Sequence, residues 1–111
     1  MVNYKPEQGD IIYLNFDPQA GHEQKGRRPA LVVSNRAFYD RTQFVMVCPV
    51  TNRHSGFPTH IVLEETTRIT GEVMCEQVKC LDLRSRNPSF QERAPEHIVD
   101  LAIDIISSFM D

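Results

Sequence analysis

A chain of 111 residues with 41% apolar content is long enough for one domain with its own core and too apolar for disorder. The net charge of −3 argues against a nucleic-acid binder that depends on overall charge, and no apolar run approaches the roughly 18 residues of a membrane span. Residues Met1 to Asp10, with Lys5, Pro6, Glu7 and Asp10 and no apolar h-region, predict no signal peptide.

Gly9-Asp10 opens a strand from Ile11 to Asp17, with Ile12, Leu14 and Phe16 on one face and Ile11, Tyr13 and Asn15 on the other. Asp17-Pro18 ends it, and a polar loop with Gly21 and Gly26 runs to Arg28. Ala30 to Ser34 reads as a buried strand, and residues 35–42 as a polar turn or short helical piece. Phe44 to Thr51 is the next strand, where Pro49 predicts an edge position or a bulge. After a turn at Ser55-Gly56 come a strand from Thr59 to Leu63, a loop over Glu64 to Gly71, and one long strand or a pair of strands over Glu72 to Asp82. The last segment predicts a helix: Pro95 suits its first turn, Glu96 its positive end, and Ile98, Leu101, Ala102, Ile105 and Phe109 recur at helical spacing. Several short strands and one amphipathic helix predict a β-rich α+β domain spanning 1–111, most simply a small curled barrel whose closure removes exposed edges.

Cys48, Cys75 and Cys80 are odd in number and lack a C-x-x-C spacing, which predicts a reduced, cytoplasmic protein. Histidines 22, 54, 60 and 97 have no zinc-ligand spacing, so no metal or other cofactor is expected. Charge is unevenly spread. Residues 95–111 hold Glu96, Asp100, Asp104 and Asp111 without a Lys or Arg, giving −4. Residues 25–53 hold Lys25, Arg27, Arg28, Arg36, Arg41 and Arg53 against Asp40, giving +5. Such a stretch suits phosphate binding, or is simply a solvated run of charge.

Three stretches carry a resemblance: Gly9-Asp10-Ile11-Ile12 through Phe16-Asp17-Pro18; Ala20-Gly21-His22-Glu23-Gln24-Lys25-Gly26-Arg27-Arg28-Pro29; and Cys48-Pro49-Val50-Thr51. In this order and spacing, with Glu76-Gln77-Val78-Lys79 and Asp82-Leu83-Arg84-Ser85-Arg86 further on, the chain resembles the MazF/Kid/PemK toxins over nearly its whole length. The resemblance implies a small SH3-like β-barrel with a C-terminal helix, a homodimer, and metal-independent cleavage of single-stranded RNA at short sequences. It also implies a cognate antitoxin whose acidic C-terminal segment blocks the groove. The alternative is a non-catalytic SH3-like module that binds nucleic acid or an antitoxin.

The reaction so implied uses the RNA's own 2′-hydroxyl as nucleophile and leaves a 2′,3′-cyclic phosphate and a 5′-hydroxyl. It needs a proton acceptor, stabilisation of charge on phosphorus, and a donor for the leaving oxygen. By the resemblance, Arg28 is the catalytic arginine. A guanidinium forks onto phosphate oxygens and stays charged, so charge stabilisation is its expected role. Thr51 offers a hydroxyl to the same phosphate. His22 and Glu23 compete as general base. The Kid branch carries a catalytic arginine where this chain has Met74, which cannot hold a phosphate, so Arg28 is expected to carry that charge as in the MazF branch. Lys25, Arg27, Arg53, Glu76, Gln77, Lys79, Arg84 and Arg86 are the expected RNA contacts, the cations to the backbone. Tyr13 and Phe57 are available to stack bases, whereas Phe16 reads as core.

Overall fold

The structure, a computed structural model, describes residues 4–16, 26–63 and 67–111. Strands β1 (Asp10–Asn15), β2 (Arg27–Val32) and β3 (Phe44–Thr51) form an antiparallel meander, with a short helix α1 (Arg36–Thr42) between the second and third. Asn35 starts α1 by accepting from the Phe38 amide at 2.9 Å, a side-chain cap that gives a polar stretch enough order to be helical. Strands β4 (His60–Val62), β5 (Glu72–Met74), β6 (Lys79–Asp82) and β7 (Ser89–Arg93) follow, then helix α2 (Glu96–Ser108).

The sheet runs β4-β5-β3-β2-β1-β7, with β6 added beside β3. Among the described residues no ladder joins β4 to β7, so the expected barrel is barrel-like and not closed. One edge of β3 serves two partners, β6 along Phe44–Val47 and β5 at Val50 and Thr51. Pro49 lies in the interval where that edge changes partner. The expectation of an edge strand or bulge is therefore corrected: β3 is central, and its proline sits where neither β5 nor β6 needs a ladder donor. The long segment over 72–82 is a pair of strands, split by a 3-10 turn at Cys75–Gln77.

Alternate residues of the meander feed two cores. Ile11, Leu31, Cys48, Val50 and Val73 pack under α2, while Ile12, Leu14, Phe16, Ala30, Val32, Val45 and Val47 pack with Leu83 on the other face. Burial on both faces is why Ala30 to Val33 is continuously apolar. Helix α2 buries Ile98, Val99, Ala102 and Ile106. The expected stripe was rotated: Leu101 and Phe109 are exposed, and Val99 and Ile106 take their place. All three cysteines are free thiols, Cys48 and Cys75 buried and Cys80 exposed.

Asp10, 3% exposed, ties the start of β1 to the rest of the sheet. It accepts from the Tyr4 hydroxyl, from the Glu7 amide at 3.0 Å and from Arg93 Nη1 at 2.8 Å. Burial, and then the bond to this carboxylate, pushes the Tyr4 phenol well above its ordinary range. Asp10→Ala orphans a phenol and half a guanidinium, and a loss of about 1–3 kcal/mol is expected from urea denaturation. An unchanged midpoint would show that the cluster contributes nothing.

Candidate active site

The last ladder pair between β2 and β3 is Ala30 with Pro49. Beyond it the two strands part, and Arg28 and Thr51, two positions further along each strand, face a cleft of about 480 Å³ lined by Arg28, Thr51, Asn52 and Arg53. Pro29 falls where β2 is paired only with β1, so its missing N–H removes no bond to β3. Thr51 is 7% exposed, and its Oγ1 accepts from the Arg53 amide at 3.2 Å, which turns the chain out of the strand. The hydroxyl proton of Thr51 remains available for a ligand.

The cleft continues in both directions. Towards β1 it shares Asn52 with a space of about 160 Å³ that includes Tyr13, Pro29 and Arg68. Towards β4 it shares Thr51 and Arg53 with a space of about 290 Å³ that includes Phe57, His60, Met74, Glu76 and Gln77. The groove thus carries cations in its middle and an aromatic ring at each end.

Arg28, Thr51, Arg53, Glu76 and Gln77, all expected from sequence, are brought together. Lys79, Arg84 and Arg86 line none of these spaces. Arg84 forks onto Asp82, with Nη2 at 2.6 Å, and this holds the Asp82 carboxyl down at about 2. Arg86 donates to the Asn15 carbonyl at 3.0 Å, and Arg27 to the Asn87 carbonyl at 2.7 Å. Part of the basic stretch is also neutralised, because Arg36 pairs with Glu7 and Asp40. His22, Glu23 and Lys25 lie outside the described residues.

Sequence reasoning missed His60 and Glu72. In the β4–β5 ladder His60 sits opposite Met74, with Glu72 and Glu76 two positions to either side of that methionine. The ring is held from both edges: Nδ1 lies 2.8 Å from Glu72 Oε1 and Nε2 lies 2.8 Å from Glu76 Oε2. Thr59 adds a 2.6 Å bond to Glu76 Oε1, and the Ser55 hydroxyl a 3.2 Å bond to Glu72 Oε1. Burial works against the imidazolium, yet the bonds to Glu72 and Glu76 prevail and raise the His60 pKa above its ordinary 6.5. In return, the bond to His60 leads in lowering Glu72; for Glu76 burial opposes the shift, and the bonds from Thr59 and His60 overcome it. Glu72 stands on β5 and Glu76 on the 3-10 turn that follows it, so no strand-face spacing marks the pair, and only the β4–β5 register brings His60 between them. Among the described residues no group of three His, Cys, Asp or Glu side chains is arranged to hold a metal ion.

Residues 7–109 match the family described as PemK-like, MazF-like toxin of type II toxin-antitoxin system. The chain belongs to this family. Among the family's curated members it is 36% identical to Endoribonuclease PemK of Escherichia coli, over 94% of this chain and 81% of that protein. The crystal structure of MazF (Form-I) from Deinococcus radiodurans superposes with a TM-score of 0.91 at 38% identity, covering 97% of this chain and 98% of that one. A MazE-MazF structure (Form-III) from the same organism gives a TM-score of 0.85 at 36% identity, covering 96% and 97%. Membership of this PemK-like, MazF-like family accounts for the antiparallel sheet and C-terminal helix.

Proposed function

We propose that the chain is the toxin of a type II toxin–antitoxin system and cuts single-stranded RNA at a short sequence, without a metal, to leave 2′,3′-cyclic phosphate and 5′-hydroxyl ends. In the cytoplasm this cleavage of mRNA stops translation and growth. The observation that carries the reading is the meeting of Arg28 and Thr51 in one cleft, where β2 and β3 part. A phosphate seated there receives the Arg28 guanidinium and the Thr51 hydroxyl together, so charge gathering on phosphorus meets donors already in place. The nucleophile comes with the substrate, and its proton passes to His22 or Glu23, the two acceptors that the family resemblance offers before Arg28. The 5′-oxygen that leaves phosphorus takes a proton from solvent to become the 5′-hydroxyl. Arg53 holds a neighbouring backbone phosphate, while Tyr13 and Phe57 stack the bases on either side. Lys25 and Glu76 complete the contacts to the RNA.

The proposed partners are a second copy of the chain and an antitoxin with an acidic C-terminal segment. A groove lined by Arg28, Arg53 and Arg68 suits such a segment, and the MazE-MazF assembly of the Deinococcus radiodurans relative supports the same pairing. Val62, Leu101, Phe109 and Met110 are exposed apolar side chains that an interface would cover. No helix among the described residues is long and apolar enough to cross a membrane.

The test is incubation of the purified protein with total RNA in excess EDTA, followed by analysis of the product ends. Cyclic phosphate and 5′-hydroxyl termini are expected. Cleavage that stops on chelation and returns with a divalent ion, or 5′-phosphate ends, would overturn the metal-free mechanism. No cleavage under any condition would favour the non-catalytic binding module.

A further inference from the structure

The third part of the groove is built more carefully than a backbone-binding surface requires. Phe57 is 51% exposed and lies 5.2 Å from the His60 ring, centroid to centroid, at 46°. Beside it stand Glu76, whose side chain is 29% exposed, and Gln77, whose Oε1 is buried without a hydrogen-bond partner. An exposed ring next to two acceptors has the make-up of a site that stacks a base and reads its edge. A carboxylate among cations would ordinarily swing to the nearest guanidinium. Glu76 does not: both of its oxygens are tied back, one by Thr59 and one by His60. His60 is in turn anchored by Glu72, which is 2% exposed.

We propose that His60 is a positioning residue which, clamped between Glu72 and Glu76, presents the Glu76 carboxylate as a fixed acceptor for a base carrying an exocyclic amino group, so that the nucleotide beside the Thr51 site is read as cytosine, adenine or guanine and uracil is refused. The inference rests on the reading of the chain as an RNA-cleaving enzyme. Its chemistry is simple. Cytosine offers an N4 amino donor to a carboxylate. Uracil has the O4 acceptor in that position, so a fixed carboxylate repels it. Because the space shares Thr51 and Arg53 with the cleft, the base read here belongs to a nucleotide next to the scissile phosphate.

The clamp requires both ring nitrogens to donate, which only the imidazolium does. Once His60 is neutral, one of its nitrogens carries a lone pair and one carboxylate is released. The charged or titratable groups around the ring are Glu72 from β5, Glu76 and Cys75 from the 3-10 turn, and Arg53 from the segment after β3. The two carboxylates favour the charged ring and its burial opposes it. The raised pKa places the change above pH 6.5, so base discrimination is present below that midpoint and fades as pH rises through it.

The experiment is single-turnover cleavage of paired oligoribonucleotides that carry cytidine or uridine at each position flanking the cut, from pH 5.5 to 9. The ratio of the two rates cancels any proton transfer common to both substrates. Wild type is expected to favour cytidine at one flanking position by roughly 5- to 150-fold at low pH, with the ratio falling above pH 6.5. Glu76→Gln, at an exposed position, should bring the ratio near one at every pH. His60→Gln should lower the ratio and flatten its pH dependence, and Glu72→Gln should move the midpoint down. A purely structural clamp would lower the melting temperature of these variants and leave the ratio unmoved, which would overturn the proposal. So would an unchanged ratio in Glu76→Gln, whatever the fate of His60→Gln. If wild type cleaves no RNA, the failure lies in the enzymatic reading; if it cleaves without this preference, the failure lies here.

Discussion

Arg28→Ala is expected to slow single-turnover RNA cleavage by roughly 10²–10³, the usual effect of removing one preorganised donor from a developing negative charge. The fold should survive. Arg28 is half-buried, and its place in the ladder, opposite Leu14 of β1, depends on its backbone. The β2–β3 ladder ends at Ala30 with Pro49, so truncation of the Arg28 side chain leaves that ladder intact. Arg28→Lys separates charge from geometry: an ammonium retains the charge but cannot fork onto two oxygens, so an intermediate rate is expected. Thr51→Ala should cost less than Arg28→Ala, since it removes one neutral donor. Rates are to be read beside far-ultraviolet circular dichroism of each variant. An Arg28→Ala protein that is folded and cuts within a few-fold of wild type would remove the centre of the mechanism.

Much of this is legible in the sequence, for reasons that differ from element to element. Strand β3 shows itself because a run of eight mostly apolar, often β-branched residues is bounded by Gln43 and Asn52. The two faces of β1 were separable because Ile12, Leu14 and Phe16 alternate strictly with their neighbours. Strand β7 escaped notice because Ser89–Arg93 is an edge strand paired only with β1, and its one apolar residue, Phe90, is 48% exposed. An edge strand with a single apolar residue has no apolar rhythm to detect. Helix α2 was found but turned on its axis, since seven apolar residues over 98–106 permit more than one stripe and only packing against Ile11, Leu31 and Val73 chooses among them. Arg28 and Thr51 came from the family resemblance, whereas their meeting depends on where the β2–β3 ladder stops. His60 and Glu72 are twelve residues apart and become neighbours only through the β4–β5 register, which no local pattern announces.

Gly71→Ala is the second substitution with a large expected effect, and it acts on the site from behind. Gly71 has φ +123°, a conformation that side chains rarely adopt, and a Cβ built there would stand 2.3 Å from the Thr51 carbonyl oxygen and 3.0 Å from its carbon. The obstacle is backbone, which cannot swing aside as a side chain would. Its neighbour Glu72 is the ladder partner of Thr51, and the Gly71 carbonyl accepts from the Leu63 amide at 2.9 Å, so both strands hold the close approach in place. Strain at such a φ costs about 1–3 kcal/mol, and forcing an extra carbon into a packed site adds about 1–3 kcal/mol more. A stability loss of roughly 2–6 kcal/mol is therefore expected from urea unfolding, a large part of what a domain of this size possesses. Relief of the contact moves the Gly71 and Thr51 backbones apart, and displacement of a positioning group by about 1 Å lowers a rate by roughly 10²-fold. Gly56 is the control. Its φ of +65° is also left-handed, but nothing lies within 4 Å of where its Cβ would go. Gly56→Ala should therefore show the cost of the backbone conformation alone, about 1 kcal/mol, with cleavage retained. If Gly71→Ala proves as stable and as active as Gly56→Ala, then the close packing of Gly71 on Thr51 does not hold Thr51 in place.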